Sequence, residues 1–239
     1  LFKILIEDIS ILKKINFNPI LVHGGGKRLT AKLSQLNIKS KFIAGLRVSN
    51  KDVVKIAQDV FIEFNKEILN ELKNHSVSAR SITSKENNII NVKAISEELG
   101  FVGTPYTIDV DVLKKIVKVN EVPVIAPLGL NSKNQVHNVN ADDIATFVAS
   151  SLNARRLIII SDVAGVMDKD NNLISEINSS KVKEMIKRGE ISGGMQVKLN
   201  SAINISHKVK GTVIISGKKT RSLLFELLSD SGAGTLIRK

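Results

Sequence analysis

Cysteine and tryptophan are both absent from this chain of 239 residues. Without cysteine there are no structural disulfides and no thiolate zinc sites, and a reducing, cytoplasmic setting is expected. Aromatic residues make up only 4% of the chain, which leaves little stacking surface for single-stranded nucleic acid. No apolar run reaches the ~18 residues of a membrane span, so no membrane partner is expected. What the chain has in excess is positive charge, a formal net +12. Such a charge raises the question of nucleic acid. The lysines are scattered rather than clustered, so they read as solvated helix faces, and no nucleic-acid partner is expected. The same field suits small anionic substrates. The length fits one large domain or two fused lobes with a full core. The sequence opens at Leu1 in the middle of an amphipathic pattern. An N-terminal piece is therefore expected to precede it.

Helical spacing runs from Leu1 to Ile15 and is expected to end at Asn16-Phe17-Asn18-Pro19. A short strand, Ile20–Val22, leads into a helix marked by Leu29, Leu33 and Leu36. Ser49 and Asp52 read as a capping box opening a long helix to about Asn74. Its wide apolar stripe, Val53, Ile56, Val60, Phe64 and Leu72, suits a core face and also a dimer face. Strands are expected at Val77–Arg80 and Ile89–Val92 around the polar turn Thr83–Asn88, with breaks at Gly100 and Gly103. A helix over Asp109–Val119, a buried strand over Val122–Pro127 and a surface turn at Asn131–Gln135 follow. Asn138 to Asp143 is expected to open a helix reaching Leu152. Leu157–Ile160 reads as a strand covered on both faces. Helices over Lys181–Lys187 and from Ile191 to about His207, then strands at Thr212–Ile215 and Gly234–Ile237, complete the chain. Strands alternating with helices argue an α/β fold with a mostly parallel sheet, and ligands at the carboxyl ends of its strands.

The stretch Leu21-Val22-His23-Gly24-Gly25-Gly26-Lys27-Arg28 stands where such a sheet places an anion. It is not a Walker loop, because Arg28 stands where Ser or Thr is needed. Nor is it a dinucleotide loop, because Leu29 takes the place of the third small residue and no acid follows about 20 residues on. Histidines His23, His75, His137 and His207 show no metal-ligand spacing, and no protein-held metal site is expected. Ser/His/Asp and Cys/His arrangements are lacking too.

Further motifs accompany this loop: Gly45-Leu46-Arg47-Val48, Asn65-Lys66, Phe101-Val102-Gly103, Asn138-Val139-Asn140-Ala141-Asp142, Ser161-Asp162-Val163-Ala164-Gly165, Gly193-Gly194-Met195-Gln196-Val197-Lys198 and Gly234-Thr235. Taken in order, they resemble the amino acid kinase superfamily and, within it, the acetylglutamate kinases. The resemblance implies a three-layer αβα sandwich with a mostly parallel central sheet. An N-terminal lobe, 1–152, would bind acetylglutamate and dimerise, and a C-terminal lobe, 153–239, would bind ATP on one continuous sheet. It implies phosphorylation of the γ-carboxylate of N-acetyl-L-glutamate by ATP, with Mg²⁺ carried on the nucleotide phosphates, as the second step of arginine synthesis. A homodimer or higher homo-oligomer, with its contact at Lys51–Asn74, is implied as well.

On this resemblance Gly25 and Gly26 offer N–H groups to the transferring phosphoryl group. Arg47 clamps the substrate α-carboxylate, and Asn138 bonds the same molecule. Lys198 is the catalytic cation, and Asp142 holds the catalytic lysines in place. Ser161, Asp162, Gly165, Gly194 and Met195 line the ATP site. The family's Lys-x-Gly-Gly strand falls before Leu1. Ser81, Ser84 and Asn87 replace family glycines, where positive φ would strain serine. Ser216-Gly217-Lys218 replaces Asp-Gly-Arg. A sister kinase acting on another acidic substrate, and a non-catalytic binding module, are the alternatives.

Overall fold

The computed structural model describes residues 2–205 and 208–238. The expected helix end near His207, the reading of His207 and the start at Leu1 lie outside the described residues. The chain divides into two compact units, Lys13–Ala145 and Leu1–Leu12 with Thr146–Lys239.

Helix α1 (Phe2–Lys14) buries Ile6, Ile9 and Leu12. It stops before the proline is reached, because Asn16 turns the backbone to φ 64° and donates its N–H to Lys13 O. Strand β1 (Leu21–Val22), helix α2 (Gly26–Gln35), the hairpin β2 (Phe42–Ile43) and β3 (Leu46–Arg47), and helix α3 (Lys51–Asn74) follow. The hairpin closes on Ala44 and Gly45, at φ 47° and 82°. Positive φ at both central positions is what a two-residue hairpin turn needs. Next come β4 (Ala79–Ile82), β5 (Ile90–Ala94), β6 (Val102–Ile108), α4 (Val110–Lys118), β7 (Val122–Ile125), β8 (Leu128–Leu130), β9 (Val136–Val139) and α5 (Ala141–Ser151).

In this unit β7 is flanked in parallel by β1 and β4. All of β7 is buried, with α3 and α4 packed on it. Of the expected stripe of α3, Val53, Val60 and Leu72 are buried while Ile56 and Phe64 are only half-buried; Val53, Ala57, Val60 and Phe61 close on Leu29, Leu33, Ala126 and Leu128. Strands β5, β6, β9 and β8 close into a small barrel.

The other unit carries β10 (Leu157–Ser161), β11 (Glu176–Asn178), α6 (Ser179–Lys187), α7 (Gly193–Ile205), β12 (Thr212–Ser216), α8 (Ser222–Leu228) and β13 (Thr235–Arg238). Its sheet runs β10-β12-β13-β11, parallel except between β12 and β13. Helices α6, α7 and α8 pack on β11, β13 and β12 respectively. From α1, Asp8 and Glu7 accept hydrogen bonds of 2.6 Å each from Arg221. The α/β class, with mostly parallel sheets covered by helices, is the expected one.

Several details differ from the sequence reading. Asn50, not Ser49, caps α3, its side chain accepting from Val53 N at 2.9 Å. Asn140, not Asn138, caps α5, accepting from Asp142 N at 2.8 Å, and Asn138 sits in β9. Gly103 does not break the chain but lies inside β6, where a Cβ would stand 2.9 Å from Val92 Cβ. Strand β10 is not covered on both faces, since Ile160 is 40% exposed. Of the three residues replacing family glycines only Asn87 has positive φ, at 53°. Its side-chain amide donates to Ser81 O at 3.0 Å, so the serines carry no strain of that kind. Among the described residues, Asn87 is one of seven asparagines with positive φ, alongside Asn16, Asn37, Asn120, Asn134, Asn153 and Asn171. Among the described residues no helix is long and apolar enough to cross a membrane.

Candidate active site

The glycine loop continues the parallel ladder and then leaves it. His23 N donates to Ile125 O at 3.1 Å, after which Gly24, Gly25 and Gly26 turn into α2. The helix begins with Leu29 N donating to Gly25 O at 2.9 Å. The N–H groups of Gly25 and Gly26 have no hydrogen-bond partner among the described residues. Helix starts leave such donors to a ligand or to water. The glycines differ in their reasons. A Cβ on Gly25 would come within 2.6 Å of the Phe61 ring, whereas one on Gly26 would meet nothing within 4 Å. Gly25 is thus fixed by packing on α3, and Gly26 is open.

Arg47, at the end of the hairpin, is buried with 8% exposure. Its guanidinium donates to Ser40 Oγ, to Thr30 Oγ1 at 2.7 Å and to Gly26 O at 3.3 Å, and lies 4.6 Å from the Phe42 ring centroid. No carboxylate pairs with it among the described residues. Desolvation accordingly lowers its pKa. A desolvated cation held by neutral acceptors is suited to pairing with an anion, because burying a charge is costly until it is paired. Its planar fork suits a carboxylate.

Arg47 and Asn138 are joined by a residue that the sequence reading assigned elsewhere. Ser49, fully buried, donates its hydroxyl to Arg47 O at 3.0 Å and accepts from Asn138 Nδ2 at 3.2 Å. Its backbone is clamped as well, Ser49 N donating to Leu99 O and Phe101 N to Ser49 O. Gly100 sits between them at φ 68°, where a Cβ would be 2.6 Å from Ser49 O. The signal for Ser49 was its position two residues after Arg47, which in extended backbone puts both side chains on one face. Thr30 and Ser40 gave no such signal. Asp142 lies in the first turn of α5, half-buried.

In the other unit, Ser161 ends β10 opposite Ser216, and Gly217 N donates to Ser161 O at 2.6 Å. Exposed Asp162 follows. Gly165 is buried at φ 157° against Thr235. Thr235 Oγ1 accepts from Val166 N at 2.8 Å and donates to Ile174 O at 2.6 Å, a role for the Gly234-Thr235 motif that spacing alone did not assign. Ser216, in place of the family's aspartate, accepts from Lys218 N at 3.1 Å. Gly194 and Met195 form the first turn of α7, with half-buried Lys198 one turn on. A Cβ on Gly194 would meet nothing within 4 Å. The structure thus brings Gly26, Arg47 and Asn138 into one bonded network, and places Ser161, Gly165, Gly194, Met195 and Lys198 in the unit that does not contain it.

Comparison with known proteins agrees with these features. The amino acid kinase family model matches residues 2–216. Acetylglutamate kinase of Pelagibacter ubique (strain HTCC1062) is 56% identical over 240 residues, covering 100% of this chain and 83% of that protein. Acetylglutamate kinase of Campylobacter fetus subsp. fetus (strain 82-40) is 38% identical, covering 97% and 84%. In structure, N-acetylglutamate synthase from Neisseria gonorrhoeae, complexed with coenzyme A and N-acetyl-glutamate, superposes with a TM-score of 0.91. That match covers 100% of this chain and 56% of that one, and at 21% identity it speaks for the fold alone. The open glycine loop, the α/β architecture and the match along most of the sequence lead to one conclusion: this chain is a kinase enzyme belonging to the amino acid kinase family.

Proposed function

We propose that the chain transfers the γ-phosphoryl group of ATP to the γ-carboxylate of N-acetyl-L-glutamate, giving N-acetyl-L-glutamyl 5-phosphate in the second step of arginine biosynthesis. The observation carrying this reading is buried Arg47, a cation with no acidic partner among the described residues, joined through Ser49 to Asn138. The acetylglutamate kinases of Pelagibacter ubique and Campylobacter fetus supply the substrate.

The acceptor is a carboxylate with a reference pKa of ~4.3, ionised at neutral pH, so no general base is needed. The difficulty is bringing an anion to a polyanion, which positioning and electrostatic stabilisation must overcome. In this reading Arg47 pairs with the α-carboxylate and Asn138 bonds the substrate amide. Gly25 and Gly26 donate N–H groups to the moving phosphoryl group. Lys198 offsets the charge that develops on it, and Asp142 orients that cation. Ser161, Asp162, Gly165, Gly194 and Met195 receive the nucleotide. Among the described residues no three His, Cys, Asp or Glu side chains converge as a metal site. An Mg²⁺ ion in this reading would be carried on the ATP phosphates, whose charge it would help to neutralise. In this reading residues 1–152 serve acetylglutamate and 153–239 serve ATP, in the cytoplasm, and the strands of the two parts form separate sheets. Self-association belongs to the same proposal. Because the stripe of α3 is used in the core, a dimer contact there would use the rest of that helix.

Full-length protein given ATP, Mg²⁺ and N-acetylglutamate should yield an acyl phosphate that hydroxylamine traps as a hydroxamate. Nucleotide binding without hydroxamate would instead make this a non-catalytic module, and product from another acid alone would make it a sister kinase. A finer expectation concerns Ser49. Ser49→Ala removes a neutral hydrogen-bond bridge worth about 1 kcal/mol. The KM for N-acetylglutamate should rise about fivefold with kcat nearly unchanged, as steady-state kinetics would read.

A further inference from the structure

His23 is buried, and no step above uses it. Its ring touches three things. Nδ1 lies 2.7 Å from Gly24 O, Nε2 lies 3.2 Å from Asn65 Nδ2, and the Phe64 ring meets it edge-on with centroids 5.1 Å apart. Asn65 is fully buried on α3, and its Nδ2 also donates to Val124 O at 2.9 Å. That last contact fixes the amide, since a carbonyl only accepts. Asn65 therefore presents N–H to His23 Nε2, which must accept. The ring proton then sits on Nδ1 and is donated to Gly24 O. Both contacts select one tautomer of a neutral imidazole. Burial, with the positive charge of Arg28 adding to it, keeps the ring uncharged, its pKa lowered from 6.5 to about 4.

The Gly24 carbonyl and the Gly25 N–H belong to one planar trans peptide, and they point in opposite directions. Holding the oxygen toward His23 therefore aims the Gly25 N–H the other way, out of the loop. Glycine has no side chain to fix that plane, and its backbone rotates more freely than that of any other residue. The neighbouring peptide needs no such help: Gly25 O is held by Leu29 N, which sets the Gly26 N–H through the helix itself.

We propose that His23, held by Asn65, is a positioning residue that aims the Gly25 amide at the phosphoryl group during transfer. The proposal rests on the reading of Gly25 and Gly26 as phosphoryl-binding donors. The chain of contacts runs from β7 through Val124 O, Asn65 and His23 to Gly24 O, so a buried strand sets the direction of a single donor. Donors aimed in advance at developing charge cost no reorganisation when the reaction occurs.

The test compares His23→Asn with His23→Leu in the full-length protein. An asparagine amide occupies the place of Nδ1 and keeps the donor; leucine fills similar space without it. His23→Asn should hold kcat within about threefold of the parent, while His23→Leu lowers it about ten- to a hundredfold, the loss expected of a misaimed donor. The KM for N-acetylglutamate should stay within about threefold in both, because Arg47 is untouched. Spectra of ¹⁵N-glycine-labelled protein with ADP, Mg²⁺, aluminium fluoride and N-acetylglutamate give the second readout. The Gly25 amide should respond in the parent and in His23→Asn, and not in His23→Leu. Equal kcat losses in both variants, tracking melting temperature, would overturn the proposal in favour of packing. A full response and full kcat in His23→Leu would overturn it while leaving the loop reading intact. No response of Gly25 or Gly26 in the parent would remove the loop reading, and the proposal with it. Should His23→Leu not fold, the ¹⁵N shifts of the parent's His23 ring decide: Nδ1 protonated supports the proposal, and Nε2 protonated refutes it.

Discussion

Replacing Arg47 with alanine is expected to raise the KM for N-acetylglutamate by about 10- to 100-fold. A charge-assisted hydrogen bond contributes about 1.5–3 kcal/mol, and each 1.4 kcal/mol is tenfold in affinity. The kcat should fall by no more than about tenfold, for a structural reason. Arg47 also donates to Gly26 O, but Thr30 Oγ1 donates there as well, at 2.9 Å, and remains after the substitution. Melting temperature offers an independent check. The guanidinium is desolvated and lacks an acidic partner among the described residues. Its removal relieves an uncompensated charge, so the free protein should hold its stability or gain some. Arg47→Lys should not rescue affinity, because an ammonium cannot make the paired contacts of a planar fork. An unchanged KM with a collapsed kcat would show that Arg47 belongs to the transfer step instead.

Lys198→Ala should give the opposite pattern. We expect kcat to fall about 100- to 1,000-fold, the usual cost of removing one group that stabilises transition-state charge. The KM for N-acetylglutamate should stay within about threefold, since Arg47, Ser49 and Asn138 keep their bonds. Lys198 lies one turn into α7, whose start at Gly193-Gly194 leaves backbone open to a ligand. Single-turnover measurement of phosphoryl transfer, with substrate binding measured separately, distinguishes loss of chemistry from loss of nucleotide affinity. Were Lys198→Ala to weaken acetylglutamate and Arg47→Ala to abolish transfer, the roles of the two residues would be interchanged.

Much of the fold is written locally, and what was missed is not. Helices α3 and α4 and strands β7 and β12 follow from periodicity or from short apolar runs, because burial on one face or on both leaves a local pattern. The barrel strands β6, β8 and β9 leave a weaker one. Strand β6 contains Gly103 and Pro105 and pairs Val102 with Asn138, a partner invisible to a local window. Gly103 reads as a breaker, yet it is there because Val92 and His137 occupy the space a side chain would need. The site shows the same limit. Motifs pointed to Gly25, Gly26, Arg47 and Asn138, whereas the contacts of Ser49, Thr30 and Ser40 with them depend on which loops meet. Ser49 was misassigned because a capping pattern can be written one residue away from the true cap. The strain expected at Ser81 and Ser84 is absent because positive φ is confined to Asn87, a residue that tolerates it.

That preference for asparagine at left-handed turns has a consequence for the unfolded chain. The same bend made with glycine would fit the folded backbone at least as well, but would leave the denatured ensemble freer and so more costly to order. Asparagine restricts that ensemble and adds a local bond where its side chain reaches one, as Asn87 does to Ser81 O. Seven such positions, spread from Asn16 to Asn171, let the chain turn sharply with fewer flexible joints. Glycine is then kept for places such as Gly25, where the Phe61 ring leaves no room for a side chain, and Gly100, where Ser49 O does the same.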